Sequence, residues 1–239
     1  MGNQEMKIWT ADAAKAIDRG SEQRPGAGDA VAGIGGSGLE LSEEWKSRIK
    51  RWLGLVGYDH RHWTRPVMHR ECTRLLQEVG MEDKDALEIS AGEHWRQFPF
   101  RSFTEANFPE FDVCEHRLPR QFDIIIADQV FEHLLWPRRA AQNVYAMLKP
   151  GGYFLVSTPF LVRYHPIPHD CCRWTETGLK YFLADCGWAL EDIRTGSWGN
   201  KACVKANLDR WVRRGWFRSL ANDPYFPVTV WAFARKPTT

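Results

Sequence analysis

The chain has 239 residues, 44% of them hydrophobic, and 32 Lys and Arg against 30 Asp and Glu give a formal net charge of +2. That length suits one sizeable α/β domain with an appendage rather than two full domains, and the apolar share excludes global disorder. The small net charge and interspersed signs argue against nucleic acid as a partner, and no apolar run approaches the ~18 residues that span a bilayer.

The opening "MGNQEMKIWTADAAK" lacks the apolar stretch of a secretory signal. Cys72, Cys114, Cys171, Cys172, Cys186 and Cys203 show no CxxC spacing, which points to free thiols in a reducing compartment. The expectation is a cytoplasmic protein with no membrane partner, monomeric or homodimeric. Its 12 tryptophans thicken a core or line a pocket for a flat substrate.

Residues 20–40, "GSEQRPGAGDAVAGIGGSGLE", lack bulky apolar side chains, which predicts a flexible tail over 1–41 with a short helix within 5–19. "LSEEWKSRIKRWLGLVGY" opens on Ser42 as an N-cap, with Glu43 and Glu44 in the first turn and Trp45, Ile49, Trp52 and Leu53 at helical spacing. A second helix is predicted over 64–79, burying Val67, Leu75, Leu76 and Val79 and ending at Gly80. Together they form a helical cap over 42–80, ahead of a domain over 81–239.

From residue 86 strands and helices alternate. "ALEIS" reads as a short strand, "FRSFTEAN" as a weaker one, and "FDIIIAD" (122–128) as a parallel strand covered on both faces. A helix over 137–148 starts at Pro137 and is ended by "KPGG", and "YFLVSTP" is the next strand. Thr175–Cys186 reads as a helix stopped by Gly187. "ALEDIRTGSW" and "PVTVWAFARK" read as two late strands with a basic helix near 202–214 between them. This alternation implies βαβ units and a mostly parallel, doubly wound α/β sheet.

In such sheets ligands bind beyond the carboxyl ends of the strands. One strand here ends in Glu88-Ile89-Ser90-Ala91-Gly92, the next in Glu105-Ala106-Asn107, and the third in Asp128-Gln129-Val130-Phe131-Glu132-His133. Asp112 and Val113 lie in a loop that can reach an adenine. The first turn lacks the G-x-G-x-x-G spacing that a dinucleotide's phosphates need, and Glu93 adds a negative charge there.

"LEISAG", "FDVCEHRLPRQFDIIIADQVFEHLLWP", "NVYAMLKPGGYFLVSTPF" and "RWTETGLKYFLADCGW" follow one another in an order and spacing that resembles the class I S-adenosylmethionine-dependent methyltransferases, in their type 11 and type 23 branch. The resemblance runs over residues 86–188. It implies a Rossmann-like, doubly wound, mostly parallel seven-stranded sheet with helices on both faces and an N-terminal helical cap. It implies S-adenosylmethionine as cofactor, S-adenosylhomocysteine as product, and a small-molecule or short-peptide acceptor methylated on O or N. By the same resemblance Glu88 holds the cofactor's amino group, and Ser90, Ala91 and Gly92 bring the backbone close to its methionine part. Asn107 falls where the family has a ribose-binding carboxylate, with Glu105 as the alternative. Asp112 and Val113 contact the adenine, and Asp128, Gln129 and Val130 line the opposite side. The first turn departs from the family's acid-x-Gly-x-Gly-x-Gly and keeps only the middle glycine. A catalytically inactive methyltransferase-like scaffold is the alternative reading.

By the same resemblance the loop "TPFLVRYHPIPHDCCRWT" lies over the transferred methyl group, beside the acceptor. Its His165 and His169 are candidate general bases, and His133 of the "EH" pair is a third. Structural zinc sites favour C-x₂₋₄-C spacing, so adjacent Cys171 and Cys172 beside these histidines do not predict a metal.

Overall fold

A computed structural model describes residues 59–238. The expected tail over 1–41 and the helix after Ser42 lie outside the described residues. The first described element, β1 (Asp59–His62), pairs antiparallel with β7 (Arg213–Gly215) in a small separate sheet. Helix α1 (Pro66–Glu78) begins on a proline, whose missing N–H costs nothing in a first turn. It buries Val67, Met68, Cys72, Leu75 and Leu76 along one stripe, with Val79 half-buried beyond its end.

The main sheet has six strands in the order β3-β2-β4-β5-β8-β6. They are β2 (Asp85–Ile89), β3 (Ser102–Ala106), β4 (Phe122–Asp128), β5 (Leu148–Pro159), β6 (Ile193–Trp198) and β8 (Thr229–Arg235). The pairs β3–β2, β2–β4 and β4–β5 are parallel, whereas β8 runs antiparallel to both β5 and β6. Among the described residues the sheet is therefore six-stranded and mixed, where seven mostly parallel strands were expected. The region 107–121 supplies no strand. There the Asp112 carbonyl and side chain accept the N–H groups of Glu115, His116 and Cys114, so turns take up the groups a ladder needs.

Strand periodicity assigns the two faces. Leu87, Ile89, Ile125, Ala127, Phe154, Val156, Val230 and Ala232 point one way, onto α2 (Pro137–Met147) and α3 (Glu176–Asp185). Ala86, Ile124, Ile126, Leu155, Trp231 and Phe233 point the other way, onto α1 and α4 (Lys201–Asp209). Helices thus cover both faces. Glu88, Asp128 and Ser157 continue the second set, which turns their side chains toward α1.

Two local expectations change, and one link is added. "KPGG" is the start of β5 rather than a stop, and a Cβ at Gly152 would come within 3.1 Å of the Asp123 carbonyl on β4. α4 ends at Asp209 instead of near 214, because Asn207 accepts the Val212 N–H at 3.1 Å and turns the chain out to form β7. Between β2 and β3 there is one short 3₁₀ turn, Trp95–Gln97, with Trp95 buried as a plug.

Candidate active site

The chain leaves β2 toward β3 on one side and returns to β4 on the other, so strand order reverses between β2 and β4 and a crevice opens at their carboxyl ends. One residue past each strand, a non-glycine adopts left-handed backbone: Ser90 at φ 54° and Gln129 at φ 60°. Such conformations cost about 1–2 kcal/mol and concentrate at ligand sites. Neighbouring strands pin both turns, with the Ser90 N–H on the Ala106 carbonyl and the Gln129 N–H on the Ser157 carbonyl, each at 2.9 Å.

At the first turn Glu88 is 2% exposed. Its Oε1 accepts the Gly92 N–H at 3.1 Å, and its Oε2 is buried with no hydrogen-bond partner among the described residues. Burial pushes this carboxyl up to about 7, opposed by the Gly92 N–H and assisted by the charges of Asp128 and Glu105. Asn107 Oδ1 accepts the Ala91 N–H at 2.7 Å, which ties the end of β3 to the turn. Glu105 is clasped by Arg96 at 2.6 and 2.8 Å, away from that contact. A Cβ added to Gly92 would meet nothing within 4 Å, so open space fronts the turn. Asp112 is half-buried and accepts the Cys114 N–H at 2.8 Å. Val113 packs its side chain into the core while its carbonyl accepts from Asn143 at 2.8 Å.

Asp128 sits differently from its neighbours in the crevice. Its carboxylate accepts from Arg65 at 2.8 Å, His69 at 3.0 Å, Trp95 at 3.2 Å and the Ser157 hydroxyl at 2.6 Å. Burial alone would raise its pKa, but Arg65, His69 and Ser157 outweigh burial and hold the carboxyl well below the usual range. It therefore fastens α1, β4, β5 and the 3₁₀ turn together. Val130 is buried in the core, and Gln129 reaches Ser157 Oγ at 3.1 Å.

Beyond β4 and β5 lies a cavity of about 260 Å³, lined among others by His62, Arg65, Gln129, Glu132, His133 and His165. The rings of His133 and His165 meet edge to face at 5.2 Å, and Trp211 packs against His165 at 5.3 Å. Burial lowers the pKa of both histidines, so each is neutral near pH 7. His169 is exposed and outside the lining, and its carbonyl accepts from His133 Nδ1 at 2.5 Å. Burial pushes Glu132 up to about 8. Glu132 was named only as part of the third strand end and given no role, although an acid inside "VFEHL" directly after a buried strand was a usable signal. Arg65, His62 and Trp211 gave none, because only the tertiary fold brings them to the cavity.

A Rossmann-like sheet with an acid-anchored turn of small residues at its reversal point defines an α/β cofactor-binding enzyme fold. Residues 35–181 match the family model described as a methyltransferase domain, more than half the chain, and the protein belongs to that family. It is an S-adenosylmethionine-dependent methyltransferase. Similar solved structures include an S-adenosylmethionine-dependent methyltransferase from Mesorhizobium loti, at 16% identity over 70% of this chain and 96% of that one, TM-score 0.47. Another is phosphoethanolamine N-methyltransferase 2 from Haemonchus contortus, at 14% identity over 70% of this chain and 52% of that one, TM-score 0.48. A third is the N-methyltransferase NodS from Bradyrhizobium japonicum, at 14% identity over 72% and 98%, TM-score 0.44. Comparison with curated protein sequences finds no match. Among the described residues no helix is long and apolar enough to cross a membrane.

Proposed function

We propose that the protein methylates an oxygen or nitrogen of a small-molecule acceptor, or of a short peptide's side chain, seated in the cavity beyond β4 and β5. The observation that carries this reading is the pair of neutral imidazoles on the cavity wall, next to the pinned turn at Gln129. When bound, S-adenosylmethionine supplies a methyl group on a positively charged sulfur. Glu88 suits its amino group, because Oε2 is a buried acceptor lacking a donor among the described residues. The turn Ser90-Ala91-Gly92 offers backbone to the methionine part, Asn107 faces the ribose, and Asp112 with the Val113 backbone faces the adenine. Gln129 and Val130 stand on the β4 side, with Asp128 behind them as the residue that positions this wall. The face formed by Glu132, His133 and His165 orients the acceptor and takes charge of its proton, and Trp211 excludes water. His169 acts through its carbonyl, by fixing the His133 ring.

The test incubates the protein with S-adenosylmethionine and a panel of small phenols, hydroxy acids and amines, scoring methylated product by mass spectrometry. His165→Ala is expected to keep S-adenosylhomocysteine affinity and to lose at least 100-fold in turnover, the scale of a lost acid–base group. Cofactor binding without turnover across the panel would favour the scaffold reading. Cofactor protection mapped away from 88–92 and 107–113 would refute the site.

A further inference from the structure

We propose that Glu132, His133 and His165 bind one divalent transition-metal ion on the wall of the acceptor cavity. One ligand atom from each lies within 4.8 Å of the other two, and Glu132 Oε1 is 3.6 Å from His133 Nε2. All three side chains line the cavity. Metal–nitrogen bonds near 2.0–2.1 Å put neighbouring ligand atoms roughly 3–3.5 Å apart, so modest side-chain rotations close this set around an ion.

Three observations go beyond proximity. The first is Glu132 itself: it is 1% exposed, and its Oε2 has no hydrogen-bond partner among the described residues. A buried oxygen left so is costly, and a cation beside it offsets that cost.

The second is that the His133 imidazole is held by its other nitrogen, as metal-ligating histidines are. A carbonyl oxygen only accepts, so the contact of 2.5 Å from His133 Nδ1 to the His169 carbonyl puts the proton on Nδ1 and leaves the Nε2 lone pair for the ion. His165 Nδ1 lies among the Arg163 carbonyl at 3.3 Å, Asp170 Oδ2 at 3.4 Å and Arg173 Nη2 at 3.3 Å, which fix the ring beside His133.

The third is charge. The guanidiniums of Arg65 and Arg173 favour the ionised form of Glu132 from a distance, while their hydrogen bonds go to Asp128 and Asp170, so no cation bonds Glu132 directly among the described residues.

Two imidazoles and a carboxylate form the donor set of hydrolytic zinc centres and of non-haem iron(II) sites. The set selects Zn²⁺, Fe²⁺, Co²⁺ or Mn²⁺ over Mg²⁺ and Ca²⁺, which take mostly oxygen ligands. Three protein ligands leave two coordination positions of a five-coordinate ion open to the cavity. An acceptor hydroxyl bound there gives its proton to water more readily, the histidine lone pairs then being on the ion. That chemical role rests on the methyl transfer proposed above, whereas ion binding stands without it. It points to acceptors that chelate through a hydroxyl and an adjacent oxygen.

The full chain, stripped with chelator, is titrated with Co²⁺ under visible spectroscopy and dialysed against Zn²⁺ for elemental analysis. One ion per chain is expected. His133→Ala and His165→Ala should each weaken binding at least 100-fold, and a Cys171→Ser, Cys172→Ser double variant should bind as the parent does. Far-ultraviolet circular dichroism and S-adenosylhomocysteine affinity monitor the fold of each variant. No ion on the parent protein, undiminished binding in both histidine variants, or loss with the two cysteines overturns the site. Cofactor affinity is measured separately, so failure here leaves the proposed methyl transfer untouched.

Discussion

Glu88→Gln should change cofactor affinity and stability in opposite directions. In the free protein the Glu88 carboxyl titrates at about 7, raised from its ordinary 4.5, chiefly by burial. The unfolded chain ionises near 4.5, so burying this acid costs nothing below that pH. The cost grows as pH rises toward 7 and levels above it, reaching about 3 kcal/mol at ~1.4 kcal/mol per pH unit. Glutamine removes this cost and keeps an oxygen for the Gly92 N–H, so the free variant should melt higher than the parent at pH 8 and equally at pH 4.5. Binding works the other way, because an ammonium group needs the ionised carboxylate. At pH 6 only about one molecule in eleven carries it, so affinity for S-adenosylhomocysteine should fall roughly tenfold between pH 8 and pH 6. In the variant that slope should vanish, and affinity at pH 8 should fall by about 1.5–3 kcal/mol, the net worth of a charged hydrogen bond. Isothermal titration calorimetry from pH 6 to 8.5, with melting curves in the same buffers, reads both quantities. A flat parental affinity profile, or a variant that keeps the parental slope, refutes the reasoning.

Asp128→Asn should cost about 3 kcal/mol, at the low end for breaking a buried ion pair because Arg65 is partly open to water. That corresponds to a melting point lower by roughly 6–12 °C, measured by calorimetry. Gly92→Ala should leave the melting point nearly unchanged, since nothing lies within 4 Å of the added carbon. Titration with S-adenosylhomocysteine should nonetheless show affinity at least tenfold weaker, because the carbon enters the space before the turn. Unchanged affinity would move the cofactor's methionine part away from this turn.

The sheet was legible wherever a strand is buried on both faces. "FDIIIAD" coincides with β4 residue for residue, because its unbroken apolar run fits nothing but a central strand. The short 3₁₀ link before β3 was not legible, since Trp95 replaces the packing of a helix and one residue's burial leaves no periodic trace. The residues named from strand ends do lie at the crevice, as Ser90, Asn107 and Gln129 show, because the position of a strand's carboxyl end follows from sequence order alone. Orientation was the harder property. Asp128 continues the alternation of Ile124 and Ile126, which aims it at α1, but its partners Arg65 and His69 stand about sixty residues earlier. The same limit hid Arg65 and Trp211 from any reading of the cavity.

β8 has a consequence for how the molecule is made. It runs antiparallel between β5 and β6, although it leaves the ribosome after both. Until residues 229–235 emerge, β5 and β6 each present an unpaired inner edge, and the most distant contacts of the sheet must form last. Lys236, just past β8, also donates to the Tyr145 and Leu148 carbonyls at 2.9 and 2.8 Å, where α2 runs into β5. The nascent chain is therefore most exposed to aggregation in the interval before residues 229–236 arrive. A chaperone that shields strand edges would act in that interval, on a chain already carrying the residues of its cofactor turn.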